Sequence, residues 1–191
     1  MGSWRDGAAR ATLAAMPSSY LQAIARLDLL EHLRAFDPHV VGTLPLGVAL
    51  PGSDIDIVCQ AADPTAFAAR LWARFGAAAG FAMHQWIGAP RPVVARFSAH
   101  GWDIEVFGCA LPVADQPGWR HFDVERRLLA LGGPGFHAAV MDGRRQGLKT
   151  EPAFCRALGL AGDPYALLFD MQPRPDRTLA AHLAAAGYAA P

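Results

Sequence analysis

The sequence predicts an α+β protein, a sheet-rich first half followed by helices, on three observations. Residues 54–59 and 102–107 alternate charged and apolar side chains with the period of two that a half-buried strand requires. Strand candidates at 81–87, 93–97 and 102–107 follow one another through Gly- and Pro-containing turns, as in an antiparallel meander. From Trp119 onward the pattern becomes helical.

Taken in order, Ser18 and Ser19 can cap a helix whose apolar positions Tyr20, Ile24, Leu27 and Leu30 share a face, and which stops before Asp37-Pro38. A short β-branched run at 39–43 reads as the next strand. A loop containing Pro45, Gly47, Pro51 and Gly52 leads into the strand at 54–59. Asp63-Pro64 then caps and opens a helix to about Gly76. The meander turns at Gly88-Ala-Pro-Arg-Pro92 and at Ala99-His100-Gly101. Helices are expected over 120–131, 134–146, 151–158, 164–170 and 176–186, and the alanine-rich stretch from Leu179 reads as helix, not as a low-complexity linker. No internal repeat is present.

A chain of 191 residues suits a single compact unit, here a core over 1–118 carrying a helical extension over 119–191. No stretch reaches the roughly 18 uncharged apolar residues of a membrane span. The opening Met-Gly-Ser-Trp-Arg-Asp has no apolar core of signal-peptide length, so cytoplasmic residence is expected. Cys59, Cys109 and Cys155 are odd in number and widely spaced, which points to buried thiols rather than a disulfide framework or a thiolate zinc site. The 17 basic and 17 acidic residues cancel, so the broad positive field that holds long nucleic acid is missing.

Residues two apart on a strand point the same way, so Asp54 and Asp56 share a face while Ile55 and Ile57 enter the core. Asp103 and Glu105 repeat the device. If the two strands are neighbours, three or four carboxylates converge, and such a cluster is costly unless divalent cations neutralise it. Oxygen-only ligation of this kind suits magnesium or manganese. A plainer reading is that alternating acids mark the wet face of an antiparallel sheet.

The stretch from Gly42-Thr43 through Gly47, Pro51 and Ser53 to Asp54-Ile-Asp56 resembles the nucleotidyltransferase superfamily of polymerase-beta-like enzymes. Their motif is Gly-Gly or Gly-Ser, a short spacer and Asp-x-Asp, with a third acid on a later strand. The resemblance implies a nucleotidyltransferase-like mixed β-sheet flanked by helices and transfer of a nucleoside monophosphate from a nucleoside triphosphate, ATP being the expected donor. It assigns the metal-binding and catalytic roles to Asp54, Asp56 and Glu105, with Asp103 as the fallback for the third acid. Gly42, Thr43 and Ser53 would serve the nucleotide. The acceptor would be a hydroxyl of a small molecule or a protein. A narrower resemblance, carried by 39–56, 103–107, 116–129, Gly147-Leu-Lys149-Thr150-Glu151-Pro152-Ala-Phe154 and Gly162-Asp163-Pro164-Tyr165, is to the bacterial domain of unknown function 4269.

The sequence departs from the antibiotic-type members of the superfamily where they carry arginines for the triphosphate, because Leu44, Leu46 and Leu50 stand there. Pro45 disfavours a short helix at this point. The missing charge could come from Arg91, Arg96, Arg120, His121, Arg144, Arg145 or Lys149. Lys149 is the first choice, although Thr150 or Glu151 could simply cap a helix opened by Pro152. His121 and Glu125, four apart, could ligate metal or pair as base and orienter. Tyr165 follows a capping Asp163 and offers a second reading as a base-stacking platform. Trp72, Trp86, Trp102 and Trp119 are expected in the core or at its edge. Two other function classes stay open: a binding module that senses a phosphate ligand without consuming it, and an antitoxin-like scaffold, which would show a large apolar patch on its C-terminal helices.

Overall fold

The computed structural model describes residues 19–188. Ser19 caps α1 (Tyr20–Arg26), its hydroxyl accepting from the Gln22 amide; Ser18 lies outside the described residues. The one helix expected up to Asp37 is broken. Asp28 adopts a left-handed conformation (φ 46°), and the chain restarts as α2 (Leu29–Leu33) with a 3-10 turn, Arg34–Phe36. Apolar spacing runs straight through this break because Ile24, Leu29 and Leu33 bury against the same neighbours.

Five strands follow: β1 (His39–Val41), β2 (Ile55–Gln60), β3 (Ala79–Gln85), β4 (Val93–Ala99) and β5 (Trp102–Cys109). Their order across the sheet is β1-β2-β5-β4-β3. β3, β4 and β5 form the expected antiparallel meander, β1 pairs antiparallel with β2, and β2 pairs parallel with β5, so the sheet is mixed. A parallel pair needs a long crossover. Here α4 (Pro64–Phe75), capped by Asp63 through the Thr65 and Ala66 amides, and the β3–β4 hairpin supply it.

The sheet separates two cores. Ile55, Ile57, Cys59, Ile104 and Val106 face α1, α2 and α4, where Phe67, Leu71 and Phe75 fill the space. Val58 faces the other way, into the helical half. That half consists of α5 (Pro117–Arg145), α6 (Thr150–Ala157), α7 (Pro164–Met171) and α8 (Asp176–Ala185). Gly133 (φ 62°, ψ −163°) kinks α5 between the two helices the sequence predicts there. Buried Phe136, Phe154, Leu168 and Leu179 hold the four helices together. The fully buried Gln116 amide donates to the carbonyls of Cys59 and Leu111 and pins the start of α5 beside β2.

All three cysteines are buried and free. Trp119 packs on Phe122 and His39 as expected, but Trp72 and Trp86 are more than half exposed and lie outside the core. Trp72 leans on Phe81; Trp86 leans on Phe107, and its indole N–H donates to His84 Nε2. Among the described residues no helix is long and apolar enough to cross a membrane.

Candidate functional site

The register of β2 on β5 sets Asp56 directly opposite Glu105, and the register of β1 on β2 sets Val41 on its other side. Gly42 therefore passes over Asp56. Its backbone (φ 77°, ψ −161°) is open to glycine alone, and a Cβ built there would stand 2.1 Å from Asp56 Oδ2. The chain then forms a short helix, α3 (Thr43–Leu46), despite Pro45. Proline sits in the first turn, where amide groups have no intrahelical partner to lose, so the expectation that Pro45 disfavours a helix here fails for that reason. The Ser53 hydroxyl accepts from the Leu50 amide and shapes the loop that delivers Asp54 to the start of β2.

Burial first, then the charges of Asp54 and Glu105, push the Asp56 carboxyl up to about 7, with Arg96 pulling the other way. Arg96 stands opposite Glu105 on β4 and forms an ion pair with it. Asp103 is exposed, bonded by the Ser98 hydroxyl and outside the cavity that Glu105 lines. Among the described residues no three acid, histidine or cysteine side chains stand close enough together, in this conformation, to ligate one ion. The donors themselves fit a hard divalent cation. They are all carboxylate oxygens, and Asp56 is a crowded, under-compensated anion of the kind that magnesium or manganese relieves.

These acids form one wall of a cavity of about 1050 Å³, larger than most small-molecule sites. Gly42, Thr43, Ser53, Asp54, Asp56 and Glu105 line it from the sheet side. His121, Glu125, Lys149, Glu151 and Tyr165 line it from the helical half, so one space takes in every sequence-predicted candidate except Asp103 and the arginines Arg91, Arg96, Arg120 and Arg145. Of the cations considered for a phosphate, Arg144 joins Lys149 in the lining. Arg120 instead spends its guanidinium on Gln172, the Phe169 carbonyl and the Phe169 ring. Trp86, with Ala89, Pro90 and Pro92, closes the cavity from the β3–β4 connection. Sequence reasoning had assigned Trp86 to the core or its edge; its place beside a Gly- and Pro-rich turn was the available signal for a rim position.

Two pairings differ from expectation. His121 does not pair with Glu125 along the helix: its Nδ1 lies 3.4 Å from Glu151 Oε1, and its Nε2 donates to the Tyr165 carbonyl at 3.0 Å. Nor do Thr150 and Glu151 cap α6, which begins after Lys149 without a side-chain cap. Asp163 does cap α7 through the Tyr165 amide, and the Tyr165 ring is 40 % exposed at the cavity. The hydrogen bond to Glu151 raises the His121 pKa above 6.5 against the opposing effect of burial. Burial, the largest single effect, would raise Glu151, but the bond from His121, its own backbone amide and the charges of His121 and Lys149 together outweigh it and hold that carboxyl below 4.5.

The pair therefore contributes most when both partners are charged. The His121 part is present below its unfolded value of 6.5 and is lost as pH rises through the raised folded value. The Glu151 part is present above 4.5 and is lost as pH falls through the lowered one. His121→Ala should thus lower the urea midpoint most near about pH 5.5 and least near about pH 9. An equal loss at both pH values would exclude the ionic pairing.

No curated protein matches the chain. Among solved structures it is similar to a cytoplasmic RNA terminal U-transferase, with 16 % identity over 75 % of this chain and 43 % of that one (TM-score 0.47). It is also similar to the Cid1 poly(U) polymerase, with 13 % identity over 75 % and 46 % (TM-score 0.49), and to a chain of the GLD-2/RNP-8 complex, with 10 % identity over 77 % and 51 % (TM-score 0.44). The chain thus spans about half the length of these proteins or less. The family model described as domain of unknown function (DUF4269) matches residues 22–171, which take in both walls of the cavity, and the chain belongs to that family.

Proposed function

We propose that the protein moves a nucleoside monophosphate from a nucleoside triphosphate onto a hydroxyl group of a small molecule or a protein. The observation that carries this reading is Asp56 opposite Glu105, with Asp54 beside them, in the wall of a cavity shared with Gly42, Thr43 and Lys149. Asp54, Asp56 and Glu105 would hold magnesium or manganese. Such ions, when bound, lower the pKa of an acceptor hydroxyl and stabilise charge on the α-phosphate and the leaving pyrophosphate. Gly42 lets the backbone come close to the triphosphate, and the Thr43 hydroxyl donates to a phosphate oxygen. Lys149 supplies the positive charge that Leu44, Leu46 and Leu50 do not. The balanced net charge favours a small or protein acceptor over long nucleic acid.

A second reading, a module that binds a nucleotide without turning it over, is favoured by the engagement of Glu105 with Arg96. Pyrophosphate release separates the two. The scaffold reading loses its support, since of the large exposed apolar side chains among the described residues only Tyr165 lies on the C-terminal helices.

The test is a thermal-shift titration of wild type and Asp56→Ala with each nucleoside triphosphate, with and without magnesium or manganese. Saturation at 100 times Kd stabilises the native state by about 2.7 kcal/mol, a rise of roughly 5–10 °C for a chain of this size. That rise should require the metal and disappear in Asp56→Ala. No rise with any nucleotide would overturn both readings.

A further inference from the structure

Glu125 is 4 % exposed, lines the cavity from α5, and its Oε1 has no hydrogen-bond partner. Arg144, on the same helix beyond the Gly133 kink, lines the same wall. One of its terminal nitrogens donates to the Leu148 carbonyl at 3.0 Å, while its Nε is buried with no partner. Burial, then the charge of Glu151, pushes the Glu125 carboxyl well above 4.5; Arg144 pulls it the other way, yet no direct ion pair joins the two side chains. A buried acceptor and a buried donor left open in one wall are each unfavourable, and native structures seldom keep either without a reason.

The neighbours do not meet the need. Glu151 is committed to His121, and His121 to the Tyr165 carbonyl. What remains among the buried polar atoms of the helical wall is one acceptor, Glu125 Oε1, and one donor, Arg144 Nε. Their complement is a planar group that presents a donor beside an acceptor, which is what the hydrogen-bonding edge of a nucleobase does. Two further features of the cavity suit a flat heterocycle. The exposed Tyr165 and Trp86 rings stand at its margin, where a base could stack, and Lys149 lies in the same lining for the phosphates.

We propose that Glu125 and Arg144 form the subsite that reads the base edge of the bound nucleotide, with Glu125 accepting from the base and the Arg144 Nε–H donating to it. This rests on the nucleotide-transfer reading and goes beyond it by assigning base recognition to a pair of residues on the helical wall, opposite the carboxylates. Which base is favoured follows from the order of donor and acceptor along its edge. The sequence-based expectation of ATP becomes one of four alternatives.

The experiment measures binding of each nucleoside triphosphate beside its edge-methylated analogue, such as N6,N6-dimethyl-ATP or N3-methyl-UTP, to the magnesium-loaded wild type and to Glu125→Leu. For the nucleotide that binds best, the methyl groups should weaken binding to wild type about tenfold, the loss of one buried hydrogen bond. Glu125→Leu should bind parent and methylated nucleotide alike. Glu125→Gln, which keeps an acceptor oxygen in the same shape, should retain part of the discrimination and shows whether the site survives substitution. If the methylated nucleotides bind wild type as tightly as their parents while Asp56 is still required, the base-reading assignment is wrong and the transfer reading stands. If no nucleotide binds at all, both fall. The wild-type comparison decides the matter even where a variant does not fold.

Discussion

Asp56→Asn is expected to raise the melting temperature of the ligand-free protein above neutral pH while abolishing its metal-dependent nucleotide binding. Below pH 3.8 the carboxyl is neutral in the folded and unfolded chains alike, and the substitution should change little. Between 3.8 and about 7 the unfolded chain ionises while the folded one keeps its proton, so wild-type stability falls across that window. Above about 7 the penalty is complete. At about 1.4 kcal/mol per pH unit it has a ceiling of about 4 kcal/mol, lowered because Asp56 is partly open to the cavity. Melts at about pH 4 and about pH 8.5 should show the variant level with wild type at the first and up to roughly 10 °C above it at the second. Equal melting temperatures at both would mean that neither burial nor the charges of Asp54 and Glu105 burden the Asp56 carboxylate. Magnesium should stabilise wild type and not the variant, the expected signature of a strained cluster kept for its ligand.

The second large effect is at Gly42. An alanine there must adopt a backbone region that costs about 1–3 kcal/mol, and its Cβ would fall 2.1 Å from Asp56 Oδ2. Either the carboxylate turns out of the cavity or β1 moves off β2. A loss of about 3 kcal/mol or more is expected in urea unfolding, together with loss of nucleotide binding. Gly52→Ala is the control, because Gly52 also has a positive φ (87°) but nothing lies within 4 Å of its missing Cβ. If the two variants lose the same stability, the contact between Gly42 and Asp56 contributes nothing beyond backbone strain.

What the sequence disclosed was local. Period-two alternation placed Asp54 and Asp56 on one face of a strand and Asp103 and Glu105 on one face of another. Turn chemistry marked the meander, and the gap between the helices expected over 120–131 and 134–146 fell at the kink of α5. The Asp63 and Asp163 caps were legible because an N-cap needs only a side-chain oxygen two or three residues before an amide. The break at Asp28 and the first-turn place of Pro45 were not, since both depend on a backbone conformation that apolar spacing does not encode.

By itself, then, the sequence determined the α+β class, the faces on which the acids lie, and the family to which the chain belongs. Only the tertiary structure decided that β2 and β5 are parallel neighbours with Asp56 opposite Glu105, and that Ser98 rather than the cavity receives Asp103. Tertiary packing likewise decided that His121 turns from Glu125, its neighbour along the helix, to Glu151 on the next one. Glu125 Oε1 and Arg144 Nε are thereby left without partners on two side chains that line the cavity. The reason is the range of the forces involved. Periodicity and capping report energies settled within a few residues, whereas strand order and helix docking are settled by which distant apolar faces bury each other, and the polar groups are carried to their positions by that packing.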